Sequence, residues 1–122
     1  MLERLSASDI ALSGVKAQRT RMNVIADNIA NAQTTRTPEG GPFRRQLAIF
    51  RGEQIGPTLR PERFGVKVKA IVKDKSPLVD VFDPSHSDAD KDGIVHYPNV
   101  NLATEMVDLV SAQRAFAEQH LN

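Results

Sequence analysis

Apolar residues near the N-terminus recur at the spacing of a helix that packs along one side. They step by four and three residues in alternation, with a single polar member: Ala11, Val15, Gln18, Met22, Ile25, Ile29 and Ala32. A second seam with the same spacing lies near the C-terminus: Leu102, Met106, Leu109, Gln113 and Phe116. A spacing of about 3.5 residues predicts helices that lie along other helices. Each seam needs a partner, either within the chain or in another subunit, and this pattern favours assembly over catalysis.

The first helix is predicted to begin at Ser6, because Asp9 follows it three residues later, as in a capping box. It is expected to run to about Ala32. Two prolines and two glycines between residues 37 and 42 then exclude both a helix and a central strand. A helix of this length must bury its seam against a neighbour.

The middle of the chain alternates between short apolar runs and turn residues, which is typical of strands. The predicted strands are 43–51, 66–72, 78–82 and 94–97, and they indicate a small antiparallel β element. Pro98 blocks further strand, and Asn101 is the predicted N-cap of a second helix. The predicted fold class is α+β, with long terminal helices packed as a coiled-coil-like pair around a β-rich middle. The predicted parts are 1–35, 36–98 and 99–122.

Composition excludes several classes of protein. The 122 residues hold five Phe, one Tyr and no Trp, too few for a bulky core. The absence of cysteine excludes disulfides and thiolate nucleophiles. Glu3, Arg4 and Asp9 interrupt the start, so no secretory signal is expected. No apolar run approaches the roughly 20 residues of a membrane span, so no membrane insertion is expected.

Charge is distributed unevenly. Residues 36–75 hold ten Lys/Arg and four Asp/Glu, a net +6, whereas residues 76–122 hold two and eight, a net −6. This division is compatible with nucleic-acid binding, with head-to-tail contact between copies, or with a solvated surface. Arg44, Arg45 and Arg51 lie beside Phe43 and Phe50, but the acidic half would repel phosphate. A soluble helical interaction module or a basic nucleic-acid-binding module therefore remains the alternative function.

The acidic stretch 88–95 matches the first eight positions of a calcium loop. The twelfth position, which should be a bidentate Glu, is Asn99. An Asp-Gly turn with solvated acids is the preferred interpretation, so no metal and no cofactor is expected. His86, His96 and His120 lie in separate segments without the spacing of ligands or of a catalytic base. The chain is therefore not expected to be an enzyme.

Asn28 flanks the first seam, and Asn31 lies where the helix ends. In one interpretation Asn28 is exposed and Asn31 caps the helix C-terminus. In the other, both amides bond to a neighbouring helix or backbone and fix the register. The sequence leaves both interpretations open.

Segments 11–18 and 21–32 resemble the N-terminal helix of bacterial flagellar rod and hook proteins. Segment 35–45 is similar to the version found in proximal rod proteins. Further matches to the proximal rod pattern, in order and spacing, cover 83–86, 88–90, 93–101, 105–108 and 111–116. Together the matches cover about half of the chain and lie toward both ends.

The resemblance implies a structural subunit of the flagellar proximal rod in the basal body, which spans the periplasm. The implied partners are further copies, other rod subunits and the flagellar type III export apparatus, with export that involves no signal cleavage and with no nucleic acid. Asn28 and Asn31 would set register, and residues 98–101 would redirect the chain into a second helix that is short for the family. The predicted assembly interface comprises Val15, Met22, Ile25, Asn28, Ile29, Asn31, Asn101, Met106, Leu109 and Phe116.

Overall fold

The computed structural model describes the backbone over residues 2–54 and 64–121, and the side chains over 8–52 and 65–118. Over these residues, two helices enclose four strands: α1 Leu2–Ala30, β1 Gln46–Gln54, β2 Phe64–Lys73, β3 Val79–Phe82, β4 Ile94–Tyr97 and α2 Leu102–Leu121. The predicted α+β class and the antiparallel pairing of the middle are confirmed. The imidazole of His120 lies outside the described side chains.

Helix α1 begins earlier than its capping sequence predicts. It starts at Leu2, so Ser6 lies inside the helix and its predicted role as N-cap is wrong. Leucine, glutamate and arginine are strong helix formers, and residues 2–5 consist of these types, so nothing there stops the helix. The helix ends at Ala30, close to the predicted end, and the Asn31 N–H closes its last turn on the Asp27 carbonyl at 3.0 Å.

The predicted β element consists of two separate two-stranded sheets. Strands β1 and β2 form a long antiparallel pair with an irregularity between Ile49 and Phe50. Strands β3 and β4 form a shorter antiparallel pair in which Val81 lies opposite Val95. Residues 74–78 are all that separates β2 from β3.

The two helices lie side by side and run in opposite directions. Near the end of α1, Asn28 Nδ2 lies 3.4 Å from Glu105 Oε2 in the first turns of α2. Further back along α1, the Arg19 guanidinium lies 5.9 Å from the ring centroid of Phe116, late in α2. The β1–β2 pair packs on α1 as well, and Ser13 Oγ accepts the Val66 N–H at 3.1 Å. Helix α1 therefore packs against both α2 and the β1–β2 pair.

The core is thin and partly polar. The buried apolar side chains of the described residues are small or medium in size: Ala17, Val24, Ile25, Ala32, Val95 and Ala112. Over the described side chains, Glu105 and Asn28 are among the largest that are fully buried, whereas eleven large apolar ones are exposed. Over the described residues, neither helix combines the length and apolar character needed to cross a membrane. Much of the apolar surface therefore faces outward.

Candidate assembly interface

Asn28 joins α1 to the beginning of β1. Its side chain is 1% exposed. Nδ2 donates to the Gln46 carbonyl at 2.9 Å, and Oδ1 accepts the Gln46 N–H at 2.8 Å. The amide thus satisfies both backbone groups of the first residue of β1, which fixes where this strand lies on the helix.

Arg45 connects the same region to α2. Its Nε donates to Glu105 Oε1, and its Nη1 lies 3.1 Å from Asp74 Oδ2. Burial alone would lower the pKa of Arg45, but the hydrogen bonds that it donates to Glu105 and Asp74 outweigh burial and raise the pKa. The pKa of Asp74 is lowered, first by the Ser76 hydrogen bonds and then by Arg45. We call Asn28, Arg45, Asp74 and Glu105 the anchor cluster.

Asn99 ties the linker before α2 to this cluster. Its Oδ1 accepts the Arg45 N–H at 2.8 Å, and its Nδ2 donates to the carbonyls of Asp74 at 3.0 Å and Ser76 at 3.1 Å. One connected set of hydrogen bonds therefore links α1, the start of β1, the end of β2 and the linker to α2. It holds α2 at a defined position against α1.

Helix α2 has a covered face and an open face. The covered face bears Glu105 and Ala112, with Leu109 and Phe116 partly buried. The open face is apolar and borders a shallow groove of about 690 Å³ that Arg114 also lines. We call its exposed apolar members the outer face of α2: Leu102, Met106, Val107 and Val110. The helix thus buries a glutamate and exposes valines, which is the reverse of a solitary amphipathic helix.

On helix α1 as well, the stripe that is buried within the chain differs from the predicted seam. The stripe that the chain itself buries passes through Gly14, Ala17, Val24, Ile25 and Asn28, and it meets the predicted seam at Ile25. Ile25 and Ala32 of that seam are buried, whereas its other five residues are only partly buried: Ala11, Val15, Gln18, Met22 and Ile29. The contacts within one chain therefore cover a stripe that overlaps the seam only in part, and they leave the rest of the seam partly accessible.

The predicted interface residues divide by exposure. Two are buried within the chain, six are partly buried and two are exposed. The buried residues are Ile25 and Asn28. The partly buried residues are Val15, Met22, Ile29, Asn31, Leu109 and Phe116. The exposed residues are Asn101 and Met106. The anchor cluster brings only Asn28 of this set together with Arg45, Asp74 and Glu105.

Asn31 and Asn101 act locally. Asn31 Nδ2 donates to the Asp27 carbonyl at 2.9 Å, and its Oδ1 accepts the Thr34 hydroxyl at 3.1 Å, as in a helix C-terminal cap. Asn101 Oδ1 accepts the Thr104 N–H at 3.1 Å, so its predicted role as N-cap of α2 is confirmed. For Asn28, the exposed interpretation is wrong, since its amide is buried and bonded.

The acidic stretch folds as a turn shaped by its own carboxylates. Asp88 accepts the Thr35 hydroxyl at 2.7 Å and Arg36 Nε at 2.8 Å, and these bonds lower its pKa. Asp90 accepts the Ile94 N–H at 3.0 Å, the first cause of its own lowered pKa. Gly93 has φ +79°, a conformation that favours glycine. Within residues 8–52 and 65–118 no group of three acidic or histidine side chains is placed to hold a metal ion.

Sequence reasoning missed Arg45, Asp74 and Glu105. In the sequence, Arg45 stands out only as part of a basic stretch, and Asp74 and Glu105 do not stand out. Their spacing of 60 residues leaves no periodic signal for the contact. Charged residues beside short apolar runs were the available hint, but that pattern also fits a solvated surface.

Two family models match the ends of the chain. The model described as flagella basal body rod protein matches residues 9–36, and the one described as flagellar basal body rod FlgEFG protein C-terminal matches residues 91–119. These segments hold most of α1, most of α2 and the turn before β4. The matches therefore lie on the helices that carry the open apolar positions.

Curated relatives extend the similarity over most of the chain. The flagellar basal-body rod protein FlgC of Borreliella burgdorferi is 46% identical, covering 91% of this chain and 82% of the relative. FlgC of Agrobacterium fabrum is 40% identical, with 91% and 78% covered. FlgC of Salmonella typhimurium is 37% identical, with 92% and 81% covered.

A small α+β fold whose terminal helices present open apolar surface, matched at both ends by basal-body rod models, defines a flagellar rod protein. At 37–46% identity over most of its length, the chain belongs to the FlgC family of flagellar basal-body rod proteins. It is a structural subunit of the rod, and its place is the flagellar basal body.

Proposed function

We propose that the chain builds the proximal rod by packing its terminal helices, as a coiled-coil-like pair, against helices of neighbouring subunits in a helical tube. The outer face of α2 is the observation that carries this proposal. Val107 is 69% exposed, and Leu102, Met106 and Val110 are between 42% and 53% exposed. Full burial of such a side chain contributes about 1.5–3 kcal/mol, so covering this face favours association.

Helix α1 contributes three partly buried members of its seam, Val15, Met22 and Ile29. Ile25, Leu109 and Phe116 support the helix pair from within, and Met106 lies in the interface. Asn28 sets register by holding β1 and α2 on α1, while Asn31 and Asn101 fix the helix ends. Residues 1–35 and 99–122 act as the assembly parts, and residues 36–98 as the β-rich middle.

The contacts between subunits use different surfaces on the two partners, so repetition produces a helical tube instead of a closed dimer. The partners are further copies and other rod subunits. The chain reaches the periplasm-spanning rod through the flagellar type III export apparatus without signal cleavage. Family membership supports these points. No nucleic acid, cofactor or catalytic step is part of this role.

Val107→Glu tests the outer face of α2. Because Val107 is already exposed in the single chain, the substitution should change the free energy of unfolding by less than about 0.5 kcal/mol. The same charge placed between packed helices should prevent rod assembly, since a buried unpaired carboxylate is costly. Chemical denaturation of the purified chain and electron microscopy of basal bodies measure the two effects.

Thr104→Glu is the matched control, because Thr104 is exposed on α2 but does not line the groove. Rods should form normally in this variant. Normal rods in Val107→Glu cells would contradict the proposal. Loss of rods together with a strongly destabilised chain would mean that Val107 acts in folding.

A further inference from the structure

All the sulfur in this chain is thioether. The sequence contains three methionines and no cysteine. Among the described side chains these are Met22 on α1 and Met106 on α2, whereas the side chain of Met1 lies outside the described residues. Peroxides convert methionine to its sulfoxide, and no thiol competes for the oxidant here. The thioethers are therefore the expected sites of oxidation.

The two described methionines differ in exposure. Met106 is 53% exposed, whereas Met22 is partly buried on α1. Met106 also lines the shallow groove along α2, so a small oxidant in water reaches its sulfur. Because oxidation follows access to the sulfur, Met106 is the more reactive of the two in the folded, unassembled chain.

Met106 lies in the middle of the outer face of α2. The other three members of this face carry saturated hydrocarbon side chains without sulfur: Leu102, Val107 and Val110. Leu102 precedes Met106 by four residues and Val110 follows it by four, so both lie one helical turn away. A chemical change at this sulfur therefore alters the centre of an otherwise inert apolar surface.

Hydrogen peroxide is the oxidant class that this site would take. A lone pair of the sulfur attacks one peroxide oxygen, so an S–O bond forms while the O–O bond breaks. The sulfur loses two electrons and the peroxide gains them. The second oxygen leaves as hydroxide, takes the proton of the transferred oxygen and becomes water. Methionine sulfoxide reductases reverse the change.

The sulfoxide is poorly suited to packing between helices. A methionine side chain is apolar and flexible, so it fills irregular gaps in an interface. Its sulfoxide carries a polar oxygen that accepts hydrogen bonds, and burial of such an oxygen without a donor is costly. Val107 and Val110 offer no side-chain donor. The oxidised face therefore favours contact with water over contact with a neighbouring helix.

We infer that Met106 is an oxidation site that controls assembly. Peroxide converts it to the sulfoxide in the free chain, and the modified chain does not enter the rod. Packing in the rod covers the sulfur, so the sensitivity is confined to subunits that await assembly. This inference rests on the proposed packing of the outer face of α2, and it assigns a modification site within that face.

Mass spectrometry of peptides tests where the chain is oxidised. The purified chain is treated with hydrogen peroxide, either folded or in urea, and the sulfoxides at Met106 and Met22 are followed with time. In the folded chain, Met106 should react about threefold to tenfold faster than Met22, because reaction follows exposure. In urea the two rates should converge. Equal rates in the folded chain would overturn the inference.

The same measurement on isolated basal bodies tests the protection. In rods that contain this chain, Met106 should react at least about tenfold more slowly than in the free chain, because packing excludes the oxidant. Oxidation of Met106 in intact rods at the rate of the free chain would contradict the inference.

Rod assembly in the presence of peroxide tests the control. Each variant is produced from an inducible gene in cells without another copy, and rods formed with and without hydrogen peroxide are counted by electron microscopy. General damage lowers the treated-to-untreated ratio in every strain. The ratio for Met106→Leu, which has no sulfur there, should exceed that for the natural chain and for Met22→Leu by about threefold. Equal ratios for the two leucine variants would overturn the inference.

Met106→Gln separates this inference from the proposed function. Glutamine carries a polar oxygen in a side chain of similar length, so this variant should form fewer rods in untreated cells. Because Met106 is exposed, the urea midpoint of the purified variant should stay unchanged. If Val107→Glu stops rod assembly and Met106→Gln does not, the inference fails and the proposed packing stands. Normal rods in both variants would contradict the packing itself.

Discussion

The molecule has one charged cluster that is shielded from water and another that is open to it. The anchor cluster centres on Glu105, which is 1% exposed and bonded to Arg45. The second, which we call the turn cluster, consists of Asp80, Asp90 and His96, with the imidazole between the two carboxylates. The anchor cluster joins residues 60 positions apart, whereas the members of the turn cluster lie 6 and 16 positions from His96. The two clusters also differ in solvation.

The difference in solvation shows how burial changes the effect of an ion pair on stability. A buried ion pair contributes little net stability, yet removing one member is strongly destabilising because the other remains without a partner. A solvated pair is screened, and its loss has a small effect. The anchor cluster therefore fixes the helix pair that carries the outer face of α2. The turn cluster only adjusts the β3–β4 pair.

Glu105→Ala should have the largest effect. It leaves the Arg45 side chain, 20% exposed, without its most buried partner, and should lower the free energy of unfolding by about 3 kcal/mol. Urea denaturation followed by circular dichroism measures the change. Glu118→Ala is the matched control, since Glu118 is exposed on the same helix. Equal unfolding midpoints for the two variants would show that the anchor cluster does not stabilise the fold.

Asn28→Ala should have an intermediate effect. It removes both partners of the Gln46 backbone, and buried groups left unpaired cost about 1–3 kcal/mol each before water re-enters. We expect a loss of about 2 kcal/mol in unfolding free energy. Asn23→Ala, an exposed change on the same helix, should be nearly neutral. Hydrogen exchange of the Gln46 backbone N–H should accelerate only in Asn28→Ala. Unchanged protection in that variant would contradict the hydrogen bond from this N–H to Asn28 Oδ1.

The turn cluster should give the smallest effect, and it should depend on pH. His96 Nδ1 lies 2.6 Å from Asp80 Oδ1, and Nε2 lies 3.2 Å from Asp90 Oδ2. Only a protonated imidazole donates from both nitrogens. The hydrogen bond to Asp80 raises the pKa of His96 above its ordinary 6.5, and Asp90 adds to the shift. The stabilisation is therefore complete below pH 6.5 and is lost as pH rises through the raised pKa.

Histidine ring signals in NMR measure this shift directly. The His96 pKa should exceed 6.5 in the natural chain and fall in Asp80→Asn. The natural chain should lose a little thermal stability between pH 6 and pH 8. This loss should be smaller in His96→Gln. A His96 that titrates at or below 6.5 would show that the turn cluster does not bind the protonated ring.

The sequence predicts where helices and strands lie better than it predicts which of their faces are buried. Both helices, four strands and the Asn101 cap follow from local patterns, because turn residues and apolar periodicity act within a few residues. The α1 start was misplaced, since a capping sequence permits a helix to begin without requiring it. The buried stripe of α1 shares only part of the predicted seam, including Ile25, because neighbouring stripes of α1 both carry apolar residues.

Local pattern and family resemblance by themselves determined that this chain has two terminal helices, an antiparallel β middle and a rod-protein signature. Tertiary structure alone decided which charges are buried and which apolar residues remain outside. Arg45 and Glu105 meet across 60 residues, and that meeting turns one side of α2 inward and leaves Val107 exposed. The physical reason is that covering a face depends on distant segments meeting in space, whereas forming a helix or a turn depends on neighbours in the chain.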